Sequence, residues 1–325
     1  MKKILAIVLC VSIYVAGFAQ DKKSAVHVSF VPPLSTNGMQ APAYTNAFSF
    51  NMLVGISKNE TGVAFGGLAN IIGNDATGVQ FAGLYNYVGN SGKGLQFAGL
   101  TNISGEMKGV QFAGLLNTTK NISGLQFGGL LNVAHDVSGV QFGGLLNIAK
   151  NVSGVQFAGL INIAESSDYP IALINIIKNG EYSVSLSYDE TGSTVAAFRS
   201  GGKYLYGILG VGYNHKVEGS SFVTEGGLGA RIHIASWLRL NNELKVQNLN
   251  NFSDTQTLKA GYALMPAFRI APHFELFGGP SINYIQTDNL ANTRVLPGNH
   301  LWKRCSGTKI EQLYIGYQVG VQYIF

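Results

Sequence analysis

The sequence predicts an all-β protein: an N-terminal array of about 15-residue β-repeats followed by an eight-stranded antiparallel β-barrel. Three observations predict this class. A glycine-rich motif recurs at fixed spacing in the first half, and apolar and polar residues alternate through the second half. Charged residues form only 12% of the chain, against about 25% in an average soluble domain. Together with 42 glycines and many Tyr and Phe residues, this composition indicates β structure with many tight turns.

The N-terminus has the layout of a secretory signal peptide. A basic start at Lys2 and Lys3 precedes the apolar stretch Ile4–Gly17, and small residues up to Gln20 offer a cleavage site. We therefore predict a signal peptide over residues 1–20 and an N-terminal segment over residues 21–46.

The sequence indicates neither a nucleic-acid partner nor a catalytic or metal-binding site. Loss of Lys2 and Lys3 would lower the net charge of +5 to +3, which is too mild to indicate a nucleic-acid partner. Cys305 would be left as the one cysteine, so no internal disulfide is expected. No histidine has metal-ligand spacing and no catalytic set is apparent. We expect no enzyme activity, no cofactor and no bound metal.

Residues 47–179 form the repeat region. Counted from the glycine that precedes the glutamine position, the copies begin at intervals of 16, 16, 15, 15, 15 and 15 residues, at Gly62, Gly78, Gly94, Gly109, Gly124, Gly139 and Gly154. Such a fixed period is typical of repeat architectures.

Two interpretations of the repeats remain open. Each copy could be a membrane-spanning strand, so that the whole chain forms one up-and-down barrel of about 18 strands. Neighbouring copies resemble each other, however, whereas strands of alternating direction should differ. Each copy could instead be one coil of a β-solenoid, in which every coil has the same surroundings. We favour the solenoid, although its outer surface would be unusually apolar.

In the solenoid, equivalent residues would stack in columns. An interior phenylalanine column would comprise Phe81, Phe97, Phe112, Phe127, Phe142 and Phe157. A structural ladder of side-chain amides, which carry both donors and acceptors, would comprise Asn86, Asn102, Asn117, Asn132, Asn147 and Asn162. Corner glycines with unusual backbone angles would be Gly83, Gly99, Gly114, Gly129, Gly144 and Gly159.

The repeat resembles a known group of sequences. Its Gly-hydrophobic-Gln…Gly-Leu-x-Asn pattern, from Gly62 to Asn175, is similar to short repeats of bacterial surface proteins, first noted in spirochaetes and seen in Bacteroidetes-like secreted proteins. The resemblance implies a surface protein and indicates no activity.

Residues 180–325 alternate as the strands of an outer-membrane β-barrel do. In the last strand, Leu313, Ile315 and Tyr317 begin an apolar face that alternates with a face beginning at Tyr314. A chain that ends on an aromatic residue, here Phe325, looks like the assembly signal of such barrels. Eight strands are predicted, at residues 181–189, 194–200, 203–214, 221–235, 237–248, 256–271, 273–287 and 312–325.

The predicted barrel has charges on its inner face and loops of unequal length. Short turns alternate with longer loops, as expected for periplasmic turns and extracellular loops. An eight-stranded barrel is narrow enough for side chains to fill it. We therefore expect a paired interior network formed by Glu225, Arg231, Arg239, Glu243, Lys245, Lys259, Arg269 and Glu275.

These features predict a protein of the bacterial outer membrane, exported by its signal peptide. The leading hypothesis is an outer-membrane surface protein, structural or ligand-binding, with a barrel anchor and a repeat module. The alternative is a passive outer-membrane pore or transport barrel in which the repeats are spanning strands. Expected partners are outer-membrane lipid and the barrel assembly machinery, and the sequence does not indicate which surface ligand is bound.

Overall fold

A computed structural model describes residues 22–216, 221–250, 256–288 and 294–325. The predicted signal peptide therefore lies outside the described residues. The chain divides into two compact units, residues 1–157 and 158–325. No helix in the described ranges is both long and apolar enough to cross a bilayer.

The first unit is a stack of β-coils. Equivalent strands of successive coils are parallel and in register: Asn117 lies between Asn102 and Asn132, and Gly124 between Gly109 and Gly139. A 3₁₀-helix at Gly38–Ala43 interrupts the first coil. The strands are β1 (Lys22–Val31), β2 (Leu34–Ser35), β3 (Tyr44–Asn51), β4 (Val54–Ser57), β5 (Asn59–Gly66), β6 (Ala69–Ile72), β7 (Ala76–Ala82), β8 (Tyr85–Ala98), β9 (Thr101–Ala113), β10 (Leu116–Gly128), β11 (Leu131–Val133), β12 (Asp136–Gly143), β13 (Leu146–Ile148) and β14 (Asn151–Ala158).

Glycines allow the coils to stack closely. Gly124 has a φ of 143°, and a Cβ there would lie 1.9 Å from the Gly109 carbonyl oxygen. The corner glycines were predicted to need unusual angles, and this is wrong. Gly114, for example, has no positive φ, and glycine is required there because a Cβ would lie 2.1 Å from the Gly99 oxygen.

The second unit begins with the last strands of the array. These are β15 (Ile161–Ala164), β16 (Ser166–Ile171) and β17 (Ile174–Ile177), and β15 pairs with β17 in parallel. The following strands are antiparallel: β18 (Glu181–Asp189), β19 (Ser193–Gly201), β20 (Leu205–Asn214), β21 (Ser221–Ala235), β22 (Leu238–Asn250), β23 (Gln256–Ala271), β24 (Phe274–Thr287), β25 (Trp302–Ser306) and β26 (Lys309–Ile324).

Eight of these strands close into a barrel. Each of β18 to β23 pairs with the next strand, β24 pairs with β26, and β26 returns to β18 through pairs from Ser183–Ile324 to Asp189–Gln318. The prediction of a repeat array followed by an eight-stranded barrel is confirmed, and the alternative of one large barrel is wrong. The short strand β25, which pairs with the start of β26, was not predicted.

The two ends of the barrel differ. The turns at 202–204, 236–237 and 272–273 are short, and this end is here called the short-turn end. Strand β18 starts and β26 ends there, so the chain enters and leaves the barrel at the same end. The longer connections, which follow β20, β22 and β24, join strands at the opposite end.

Within the second unit, the last coil packs on the outer wall of the barrel near the short-turn end. Asn175 donates its backbone N–H to Ser200 Oγ at 2.9 Å and its side-chain amide to the Ser200 carbonyl at 3.1 Å. A Cβ at Gly207 would lie 2.1 Å from the Ala172 carbonyl oxygen. Since Arg199 and Tyr206 point inward, their neighbours Ser200 and Gly207 face outward. The coil therefore covers part of the outer surface.

Candidate functional site

The barrel interior contains a buried network of charges centred on Glu243. Arg199 donates to both carboxylate oxygens of Glu243, at 2.7 and 3.1 Å, and Tyr206 Oη donates to it at 2.8 Å. Lys245 Nζ lies 3.2 Å from Glu243 and 3.7 Å from Glu225. All five side chains are buried, so the charges can be accommodated only because they are paired.

A second group of charges lies toward the short-turn end. Glu181 lies 3.3 Å from Arg231 and 2.8 Å from Arg239, and Arg239 lies 2.7 Å from Glu275. Arg269 also reaches Glu275, at 3.3 Å, but 41% of its side chain is exposed. These contacts link strands β18, β21, β22, β23 and β24 across the interior.

A third group lies toward the opposite end. Lys259 Nζ lies 3.0 Å from Asp189 and 2.9 Å from Glu190. Tyr314 Oη donates to Glu190 at 2.7 Å, and Asn283 does so at 3.3 Å. The turn between β18 and β19 thus carries a carboxylate that folds back onto the barrel.

The eight predicted lumen charges all join ion pairs. Seven of them are buried, and Arg269 lies partly exposed near the end of β23. Several partners of these charges were not predicted, because they lie near strand ends, where alternation is hard to assign; they are Glu181, Asp189, Glu190 and Arg199. Glu181 and Asp189 continue the alternation of the buried serines from Ser183 to Ser187, and this was the signal that could have identified these two partners.

Side chains fill the described interior of the barrel. A cavity of about 20 Å³ lies beside Asp189, Lys245 and Lys259, which is room for about one water molecule. Along the rest of the wall, Met265, Ile208 and Ile285 are fully buried. These buried side chains occupy the lumen in the described part of the barrel.

The repeat array has amide ladders in its interior. Asn117 donates to Asn132 Oδ1 at 3.0 Å, and Asn132 donates to Asn147 Oδ1 at 2.9 Å. A second ladder, not predicted, is formed by glutamines; for example, Gln126 donates to Gln111 at 2.9 Å. The ladder residues are buried, and members in the middle of each ladder, such as Gln111 and Asn117, replace their water contacts with bonds to the coils above and below.

The phenylalanines stack on the outside of the array, and their predicted interior position is wrong. Rings of Phe112 and Phe127 lie 4.6 Å apart with an angle of 6° between their planes. Phe142, however, is 42% exposed while its neighbour Gln141 is fully buried. Successive residues of a strand point to opposite sides, so a buried glutamine requires the next side chain to face outward.

A linear apolar groove follows the phenylalanine column. Its volume is about 720 Å³, and it is lined by phenylalanine rings from Phe50 to Phe142 and by the small residues beside them, among them Gly83, Ala98 and Gly114. Beside it runs a leucine column, whose members are 41% to 45% exposed: Leu68, Leu84, Leu100, Leu115, Leu130 and Leu145. We call the phenylalanine and leucine columns together the apolar edge.

The first coils contain a buried carboxylate. Glu60 accepts hydrogen bonds from Ser49 Oγ at 2.8 Å and Asn46 Nδ2 at 3.1 Å. Burial raises the pKa of Glu60 above its ordinary value of 4.5, although these hydrogen bonds oppose the shift. The folded state therefore holds the Glu60 proton more tightly than the unfolded state does.

Replacing Glu60 by Gln is expected to stabilise the array at neutral pH. Because the folded pKa is raised, wild-type stability falls as pH rises from about 4.5 through the folded value. Glu60→Gln cannot ionise and should not show this loss, so thermal midpoints measured by circular dichroism should diverge with rising pH. The exposed Glu106→Gln is the control for removing one negative charge. Parallel pH curves for wild type and Glu60→Gln would contradict this assignment.

No family profile and no curated protein matches the chain. Two solved structures of designed proteins are similar to part of it. One, from "De novo design of transmembrane beta-barrels", is 17% identical and covers 45% of this chain and 93% of its own, with a TM-score of 0.26. The other, "Solution NMR structure of de novo designed TMB2.3", is 14% identical and covers 44% of this chain and 93% of its own, with a TM-score of 0.26. At these TM-scores neither similarity determines the fold of this chain.

Proposed function

We propose that the chain is a bacterial outer-membrane protein whose closed barrel anchors a repeat module with a structural or ligand-binding role. One observation carries the proposal: the barrel is apolar outside and charge-paired inside. Outward residues such as Leu244, Ile282 and Ile315 are 53% to 62% exposed, whereas Arg199 and Glu243 are buried in the interior. This arrangement is stable when lipid surrounds the wall.

The exposed aromatic residues support a membrane location. Trp237, Phe268, Phe274 and Tyr323 all lie on outward faces near the short-turn end, and Phe274 and Tyr323 rings are 5.1 Å apart. Aromatic residues concentrate at both interfaces of outer-membrane barrels. In such barrels short turns face the periplasm. The last coil lies near the short-turn end, which favours the periplasmic side for that coil rather than the cell surface implied by the resemblance.

The filled interior favours an anchor over a pore. Purified protein in planar bilayers is expected to give no steady conductance, because ion pairs occupy the lumen. Stable conductance steps with wild-type protein would instead support the passive-pore alternative. The resemblance to Bacteroidetes-like surface repeats and the expectation of no enzyme activity remain part of this proposal.

Replacing Phe325 by Ala is expected to reduce outer-membrane assembly in cells without weakening the folded barrel. The Phe325 side chain is 67% exposed, and its backbone N–H, which bonds to the Tyr182 carbonyl at 3.0 Å, is kept in the variant. We expect the barrel assembly machinery to recognise the Phe325 side chain, whereas packing of that side chain contributes little to the folded barrel. Membrane fractionation and the heat-dependent shift in gel mobility measure the effect.

Val319→Ala is the matched control, because Val319 faces outward on the same strand and is 48% exposed. It should assemble normally. Equal assembly of both variants would contradict the role of Phe325 as a signal, and recovery of wild-type protein in the soluble periplasm would contradict the membrane location.

A further inference from the structure

The polarity of the repeat array is inverted relative to a water-soluble protein. Its buried interior includes complete columns of Gln and Asn, such as Gln126 and Asn132, while Phe112 and Leu115 are 38% and 42% exposed. Soluble monomers rarely expose a continuous apolar patch of this extent. The same inversion characterises barrels that are surrounded by lipid.

The phenylalanine and leucine columns lie together on one side of each coil. The opposite corner, here called the polar edge, bears Lys108, Asn121, Asp136, Ser138 and Asn151. Asn151 donates to Asp136 there at 2.7 Å. The array therefore has an apolar edge and a polar edge running in parallel, which is the arrangement of an element lying in a membrane interface.

The backbone of the apolar edge is also suited to lipid. The Leu115 N–H donates to the Leu100 carbonyl at 3.0 Å, and the Leu130 N–H donates to the Leu115 carbonyl at 3.1 Å. Corner peptide groups are thus paired between coils even where the chain turns. Unpaired peptide groups are strongly unfavourable in hydrocarbon, so this pairing removes the main obstacle to insertion.

The last coil gives a second, independent observation. Within the second unit it packs on the outward face of the barrel at Ser200 and Gly207. Its Tyr169 ring lies 6.4 Å from the ring of Tyr204, a residue of the short-turn end, and both are 44% exposed. The array therefore ends against the wall that the proposed function surrounds with lipid, at the level of the interfacial aromatic residues.

From these observations we infer that the apolar edge of the repeat array inserts into the acyl-chain region of the phospholipid leaflet on the short-turn side. The inference rests on the proposed function. A single acyl chain would fill the groove beside Phe112 and Phe127 but leave the leucine column exposed. A leaflet covers both columns while the polar edge stays in water.

The test places one fluorophore per molecule on the full chain in phospholipid nanodiscs, whose two aqueous sides are both open to quenchers. Cys10 and Cys305 are replaced by Ser. A new cysteine is introduced by Leu130→Cys on the apolar edge, Ser138→Cys on the polar edge, or Leu244→Cys on the barrel wall. Leu115→Cys repeats the measurement on the apolar edge in case one variant folds poorly.

We expect nitroxides on the lipid acyl chains to quench the Leu130→Cys and Leu244→Cys labels severalfold more than the Ser138→Cys label, and aqueous iodide to show the reverse order. If the Leu130→Cys label behaves like the Ser138→Cys label while the Leu244→Cys label is quenched by lipid, the inference fails but the proposed membrane-anchored barrel is supported. If Leu244→Cys is not quenched by lipid, the proposed function fails. Protection of Leu130→Cys from both quenchers would mean that protein, such as a second copy, covers the edge, and would overturn the inference.

Discussion

Replacing Glu243 by Leu is expected to be the most damaging single substitution in the barrel, costing about 3–5 kcal/mol of unfolding free energy. The variant leaves Arg199 and Lys245 buried without the carboxylate that lies 2.7 and 3.2 Å from them. Tyr206 also loses its acceptor. Unfolding by urea in detergent micelles, followed by the heat-dependent gel shift, measures the loss.

The double variant Glu243→Leu with Arg199→Met tests whether the lost stability comes from an unpaired buried charge or from changed side-chain packing. It removes the more deeply buried cation, so it should recover part of the stability lost by Glu243→Leu alone. Lys178→Ala, which removes the exposed contact with Glu165, should change little and serves as a control. A double variant no more stable than the single one would show that side-chain volume, rather than an unpaired charge, explains the loss.

Deleting one complete coil is expected to leave a folded array. Deleting the same coil except for its last residue should disrupt the array. Deletion of Gly124–Ser138 joins Ser123 to Gly139 and restores the Ser-Gly junction. Asn117 could then donate to Asn147 in place of Asn132, and Gln141 to Gln111. Stability should fall by about one repeat and its interface.

Deletion of Gly124–Val137 is the matched comparison, because it shortens the chain by nearly the same amount. It displaces every following residue by one position along the coil, which reverses the inward and outward faces. Gln141 would then be directed outward and Phe142 inward. Limited proteolysis and the gel shift should report a folded protein for the first deletion only. Equal behaviour of the two deletions would contradict the coil as the structural unit.

The barrel could be predicted closely because alternation specifies both the strands and their faces. Residues 221–235 and 256–271 were predicted as strands and are β21 and β23. Glu243 and Lys245 were placed inside because they alternate with Leu244, which is 61% exposed. Strand β25 had no such pattern, since its five residues are all exposed, and it was missed.

In the repeats, the predicted orientation of the phenylalanine column was wrong, because the rings face outward and not inward. Phe142 was placed inside because large apolar side chains are usually buried. That rule fails here because the amides occupy the interior. Gln141 bonds the glutamine of the neighbouring coil, and Asn147 bonds the asparagine of the neighbouring coil. The glutamine in every copy from Gln80 to Gln156 was the available signal. Period-two alternation then assigns Phe142 to the opposite side.

The amide ladders have a consequence for how the array responds to temperature. Exposing apolar surface on unfolding raises the heat capacity, and exposing polar surface lowers it. Unfolding the array releases buried amides such as Gln111 and Asn117, which offsets the contribution of its apolar residues. The array should therefore have a small heat-capacity change per residue and a flat stability curve, so that it resists cold as well as heat.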